Sequence, residues 1–198
     1  MSESTPRQRP NRAGDERRER VLAAAIDQFG RFGYAGTSIA GIARAAGITD
    51  SGVLHHYPTK AELYRAIVQG RGERFTDAFG APRTIDEVFR ALGAGITASL
   101  RDERLVRLQA MLAGEMLIEG HPVREEYLES QRRALDELTA LFTRVIGADD
   151  DGEAERIALQ VLAMLKGLRA EWAAMPDRVD LDAASLDALA RIRATIPA

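Results

Sequence analysis

The chain has 198 residues, 45% of them hydrophobic and 29% charged, a composition that suits a soluble globular protein of one or two domains. It contains no cysteine, which excludes disulfides, thiolate catalysis and cysteine metal sites. The net charge of −3 is unevenly divided: residues 1–65 carry ten Lys/Arg against seven Asp/Glu, and residues 66–198 carry seventeen against twenty-three. A basic head on an acidic body suggests that only the head meets an anionic partner.

No run approaches the roughly 18 apolar residues a membrane span needs, and the N-terminus lacks the apolar core of a signal peptide. A soluble, cytoplasmic protein with no membrane partner is expected. The opening MSESTPRQRPNRAGDE is rich in Pro, Arg and Ser without apolar periodicity, so residues 1–15 read as a disordered arm. Periodicity begins near Glu16. Val21, Leu22, Ala25, Ile26 and Phe29 share one helical face, and the glycines of GRFGYAG end that helix.

Thr37 is the expected N-cap of a short helix carrying Ile39, Ile42 and Ala43. In AAGIT, Gly47 suits a left-handed turn residue, and Thr49 caps a helix over about 50–56 with Val53, Leu54 and Tyr57. Pro58 stops it. Thr59 with Glu62 makes a capping box for a helix over 60–79, through Leu63, Ala66 and Ile67. Thr84 with Glu87 opens a further segment to about Leu100.

The next helix, about 103–119, is apolar almost all round between Leu105 and Ile118 and is expected to be buried. Gly120 ends it, and Pro122 falls in the first turn of a long helix to Ile146. GADDDGE reads as a loop, followed by helices over about 153–174 and 183–195. No segment alternates with period two. The expected fold is all-α.

Two short helices joined by an Ala-Ala-Gly-Ile turn have helix-turn-helix spacing, which presents the second helix to a major groove. A second helix this short inserts only its N-terminal residues, with its dipole favouring nearby phosphates. At this point a family resemblance is visible. TSIAGIARAAGITDSGVLHHYPTKAELYRAIV, residues 37–68, resembles the DNA-binding domain of the TetR family of transcriptional regulators, and RVLAAAIDQFGRFGYAG is similar to that family's first helix. The likeness covers about residues 16–70. GEMLIEGHPVREEY and GLRAEWAAMPDRVDLDAA resemble ligand-domain stretches of some members much less specifically.

The resemblance implies a DNA-binding domain over 16–65 and a ligand-binding and dimerisation domain over 66–198. It places Asp50, Ser51 and Gly52 at base edges, in a contact segment that also holds Thr49 and Leu54. It places His55, His56 and Lys60 on the DNA backbone, with Thr37 and Ser38 at the start of the preceding helix. Members usually carry Thr or Ala at the position of Gly52, and many carry Tyr at that of Leu54, so the operator sequence is not implied. Asp50 has two readings: a favourable charge in a first helical turn, or an acceptor for cytosine N4.

A metal at His55 and His56 lacks a third ligand, since adjacent helical side chains diverge and the other histidine is the distant His121. A general base there lacks a nucleophile elbow around Ser51. Neither a metal nor a cofactor is expected. Arg7, Arg9 and Arg12 of the arm either enter a minor groove or belong to a solvated tail.

In the body, Glu115 shares a stripe with Leu108, Met111 and Leu112 and must be paired or protonated if buried. One reading pairs it with Arg90 or Arg101. The other makes it the acid of an effector pocket lined by Phe89, Leu108, Met111, Leu112, Met116, Phe142 and Trp172, suited to a largely apolar ligand with a polar or cationic end. On the helix at 153–174, Ile157, Val161, Leu165, Leu168 and Trp172 oppose Ala163, Gly167, Ala170 and Ala174. The small face suits a partner subunit, with Leu186, Leu189, Ile192 and Ile196 of the last helix completing a homodimer interface.

The expectation is a non-enzymatic regulator: a homodimer on a palindromic DNA operator, released by a small-molecule effector. Competing readings are a ligand-independent helical DNA-binding protein, or a hydrolase using His121 and Glu115.

Overall fold

A computed structural model describes residues 12–76, 82–147 and 151–197, and among these the chain forms nine helices and no strand. They are α1 (Arg12–Gly36), α2 (Ile39–Ala46), α3 (Asp50–His56), α4 (Lys60–Thr76), α5 (Ile85–Leu100), α6 (Glu103–Glu115), α7 (Arg124–Ile146), α8 (Asp151–Ala174) and α9 (Leu181–Ala194). The all-α expectation holds.

Several boundaries differ. Helix α1 begins at Arg12, inside the expected arm; Arg7 and Arg9 lie outside the described residues, as do positions 77–79 of the expected fourth helix. Helix α6 stops at Glu115, four residues early, and Leu117 and Ile118 sit in the following turn, 83% and 61% exposed. Pro122 precedes α7 rather than opening it, because Val123 is the cap residue and offers no side-chain bond. Asp180, whose carboxylate accepts from the Ala183 amide, starts α9 at Leu181.

The core is divided, and α6 divides it. Val21, Phe29, Ile42, Val53, Leu63 and Tyr64 of the head form one cluster with Leu108, Leu112 and Met116 of α6 and Val123 beyond it. Val88, Leu92, Leu138, Phe142, Ile157 and Val161 form the body core, and Val106 of α6 joins Trp172 and Leu181 in a third group. Burying one leucine or methionine side chain contributes about 1.5–3 kcal/mol, so the face presented by Leu108, Leu112 and Met116 binds α6 strongly to the head. Gly30 makes the approach possible: a Cβ there would stand 3.1 Å from the Leu108 nitrogen and 3.2 Å from the Arg104 carbonyl oxygen. Helices α1 and α6 cross backbone to backbone.

Candidate nucleic-acid interface

The turn between α2 and α3 is closed by local chemistry. Gly47 adopts the left-handed conformation (φ 68°, ψ 35°) that L side chains disfavour, and the Ile48 amide then reaches the Ala43 carbonyl at 3.0 Å. Thr49 caps α3, its hydroxyl accepting from the Gly52 amide at 3.1 Å and lying 3.0 Å from the Ser51 hydroxyl. Buried Val53 and Tyr57 hold the inner side of α3. Arg18 of α1 secures Tyr57 by donating from Nε to its hydroxyl at 3.1 Å.

With its inner side held, α3 exposes Asp50, Ser51, Leu54 and His55 beside Thr49, while His56 is half-buried with its ring 5.4 Å from that of His55. Gly52 is crowded: a Cβ would stand 3.3 Å from both Ile48 Cδ1 and Thr49 Oγ1. A side chain there needs its neighbours to give way.

Two expected contact residues are occupied elsewhere. Ser38, not Thr37, caps α2, accepting from the Gly41 amide at 3.0 Å. Thr37 is buried, and its hydroxyl donates to the Gly33 carbonyl at 2.7 Å and stands 3.1 Å from the Gln28 carbonyl. Lys60 folds back onto α1: its ammonium donates to the carbonyls of Tyr34 at 2.7 Å and Thr37 at 2.9 Å and sits 4.2 Å from the Tyr34 ring centroid. Carbonyls at a helix C-terminus carry the negative end of the dipole, which explains the cation's place. Arg44 of α2, which sequence reasoning passed over, is exposed and in no ion pair among the described residues. Its signal was a lone arginine in an otherwise apolar short helix.

In the body, Glu115 pairs with neither Arg90 nor Arg101. One carboxylate oxygen accepts from the Tyr34 amide at 2.5 Å and the other from the Tyr64 hydroxyl at 2.7 Å, with His121 Nε2 at 3.9 Å from the latter. Burial and the bond to Glu115 push the Tyr64 phenol far above its ordinary range. Burial holds the His121 imidazole below its ordinary value, partly opposed by Glu115. The kink that exposes the Tyr34 amide is Gly33 (φ 69°, ψ 179°), where a Cβ would stand 2.6 Å from Glu115 Oε1. Sequence reasoning identifies Glu115, and joins it with His121 in the hydrolase reading, but misses Tyr34 and Tyr64.

The expected pocket lining does not come together. Leu108, Leu112 and Met116 face the head, with half-buried Met111 beside Gly33; Phe89 packs on Phe142 at 5.7 Å in the body core; Trp172 lies in the third group under Arg107, whose guanidinium is 4.8 Å from the ring. The cause is the turn of α6 toward α1, which aims its apolar stripe away from the body interior. Of the expected dimer residues, Ala163, Gly167, Ala170 and Ala174 are exposed, whereas Leu189 is 4% exposed within the body core. Leu186, 41% exposed, is the leucine of α9 that reaches the surface.

The family model described as bacterial regulatory proteins, tetR family, matches residues 21–67, which span the helix-turn-helix just described. Its helix-turn-helix head is that of the TetR family. Among TetR-family relatives, the HTH-type transcriptional regulator RutR of Escherichia coli is 30% identical over 137 residues, 67% of this chain and 63% of RutR. The chain thus spans less than two thirds of that relative's length. The HTH-type transcriptional regulator TtgR of Pseudomonas putida is 27% identical over 184 residues, covering 87% of this chain and 88% of TtgR. In overall fold the chain is similar to a TetR-family regulator from Streptomyces coelicolor, with TM-score 0.73, 21% identity, and coverage of 92% of this chain and 96% of that one. Among the described residues, no helix is long and apolar enough to cross a membrane.

Proposed function

We propose that the protein is a ligand-responsive transcriptional regulator, a homodimer that represses from a palindromic operator and is released by a small molecule. One observation carries this reading: α3 is fixed from behind by Val53 and Tyr57 while its outer face stands free. In this reading Asp50, Ser51 and the backbone at Gly52 meet base edges, with Leu54 beside them. His55, His56, Ser38 and Arg44 meet the DNA backbone. Thr37, Thr49 and Lys60 act as positioning residues through the bonds described above. The dimer forms through Ala163, Gly167, Ala170 and Ala174 of α8 with Leu186 of α9.

The response travels along α4. That helix starts beside α3, and in the body its Arg65 donates to Glu126 at 2.6 Å while its Tyr64 holds Glu115. A shift of α6 or α7 therefore tilts α4 and changes the separation of the two recognition helices. Effector releases DNA only through its differential affinity for the two arrangements.

Selection of random duplexes by purified protein tests the reading. It should yield a palindrome with half-sites about 10 base pairs apart or a multiple of that. Arg44→Ala should weaken binding to all sequences and lower the salt slope by about one, whereas Asp50→Ala should change the selected bases. Absence of any selected motif would sink the proposal.

A further inference from the structure

We propose that α8 carries an anion-binding site, formed by Arg169 and Lys166, that receives the carboxylate of an otherwise apolar effector. The inference rests on the ligand-responsive reading above and names the effector's chemistry.

The Arg169 Nε atom is buried and has no hydrogen-bond partner, and the guanidinium enters no ion pair among the described residues. Lys166 lies one turn earlier, half-buried and equally without a counter-ion. Leu162, Lys166, Arg169 and Ala173 follow at spacings of four, three and four, so they form one stripe along α8, all half-buried. This stripe flanks the core-facing side and is distinct from the exposed face of Ala163, Gly167, Ala170 and Ala174. Burial pushes both basic groups below their ordinary values; the Arg169 charge adds to the shift at Lys166, while Tyr127 partly opposes the one at Arg169.

A buried arginine remains charged, and a charge removed from water without a partner is costly. Two such cations one turn apart make an arrangement that an anion stabilises. The guanidinium fork matches a carboxylate's two oxygens, and the surroundings define the rest of the ligand. Leu165 and Trp172 flank Arg169 along α8 at one helical turn on either side, and both are buried. The Tyr127 phenol of α7 lies close enough to act on the guanidinium, and the same tyrosine packs against the head core. An anion at Arg169 therefore sits beside the elements that hold the head to the body. Glu115, the acid that suggested a cationic ligand end, is already filled by Tyr34 and Tyr64. Among the described residues of α8, Lys166 and Arg169 keep half-buried positive charge with no counter-ion.

The chain has one tryptophan, Trp172, three residues from Arg169, which provides an intrinsic reporter. The full-length protein is titrated at fixed ionic strength with linear carboxylates from acetate to dodecanoate and with benzoate. Each is matched by its neutral primary amide, and both tryptophan fluorescence and Tm are followed. At least one carboxylate should bind saturably, about ten-fold or more tighter than its amide. Arg169→Met should abolish that preference and Lys166→Met weaken it. Arg169→Gln serves in its place if the methionine variant does not fold. In the absence of ligand, Arg169→Met should raise Tm, because an unanswered buried charge has been removed.

Equal binding of amides and carboxylates would overturn the proposal, as would binding by no carboxylate or an undiminished preference in the Arg169 variants. Operator release is measured separately. Carboxylate binding that leaves operator affinity unchanged supports the anion site and overturns the ligand-response reading. Release by neutral compounds alone, unaffected at Arg169, keeps that reading and overturns this one.

Discussion

The Glu115 carboxylate accepts a hydrogen bond from the Tyr34 backbone amide at 2.5 Å, across 81 positions of chain. The bond joins the end of α6 to the kink in α1, and so joins body to head at the point where the path toward the recognition helix begins. Its companion, the bond from the Tyr64 hydroxyl, places both carboxylate oxygens on the head.

Removing that carboxylate strands a buried amide and a buried phenol, each costing about 1–3 kcal/mol. Glu115→Ala should lower the unfolding free energy by about 3 kcal/mol, while Glu115→Gln loses less because its amide oxygen still accepts from Tyr34. Urea denaturation of the purified variants measures both. An unchanged midpoint for Glu115→Ala would leave the junction to apolar packing alone.

Two glycines with positive φ should respond differently to alanine. Gly47→Ala meets nothing within 4 Å and bears only the left-handed conformation, about 1–2 kcal/mol. Gly33→Ala adds a contact of 2.6 Å with Glu115 Oε1 to a backbone region that is nearly glycine-only, and should cost more than Gly47→Ala. Thermal melts of the two variants rank them, and the reverse order would contradict the geometry of the kink.

The folded-state pKa of His121 lies below its ordinary 6.5, so between those two values the unfolded chain binds more protons than the folded one. Stability therefore falls as pH drops from about 6.5 toward the folded value and levels off below it. His121→Gln should flatten that stretch of the curve. Denaturant midpoints at pH 7.5 and 5.5 provide the comparison, and a wild-type slope retained in full by the variant would assign it to other groups.

At Gly167 a Cβ meets nothing within 4 Å among the described residues. Gly167→Ala should stabilise the protomer by about 0.5–1 kcal/mol, the usual gain from replacing glycine inside a helix. Gly167→Leu should instead shift sedimentation toward monomer and abolish operator binding, because overpacking a close interface costs about 1–3 kcal/mol. A leucine variant that remains dimeric would move the interface off this face.

The head was readable because its turns are set by local chemistry. Gly47, Thr49 and the Thr59–Glu62 capping box each act within a few residues, so the sequence alone locates α3 and its exposed face. Adjacent Thr37 and Ser38 were not separable, since both offer a hydroxyl at a helix start and only packing decides that the threonine is buried. Lys60 misleads for a similar reason: proximity to a DNA-binding segment does not reveal carbonyls at and just beyond the end of α1, 26 and 23 positions earlier. The apolar stripe of α6 was visible, but a stripe states that it is buried and not against what. Its partner, α1, is chosen through Gly30, whose importance emerges only when a second backbone lies against it.

That contact at Gly30 bears on how the protein can be recombined with others. A chimera joined near residue 66 would separate the head from Leu108, Leu112, Met116 and Val123, which complete its core. The transplanted head would expose an apolar flank, and the recipient body would present a helix shaped for a different α1. The exchangeable unit is discontinuous: α1–α4 together with α6 and the residues leading into α7, a piece of the molecule that no single cut in the chain releases.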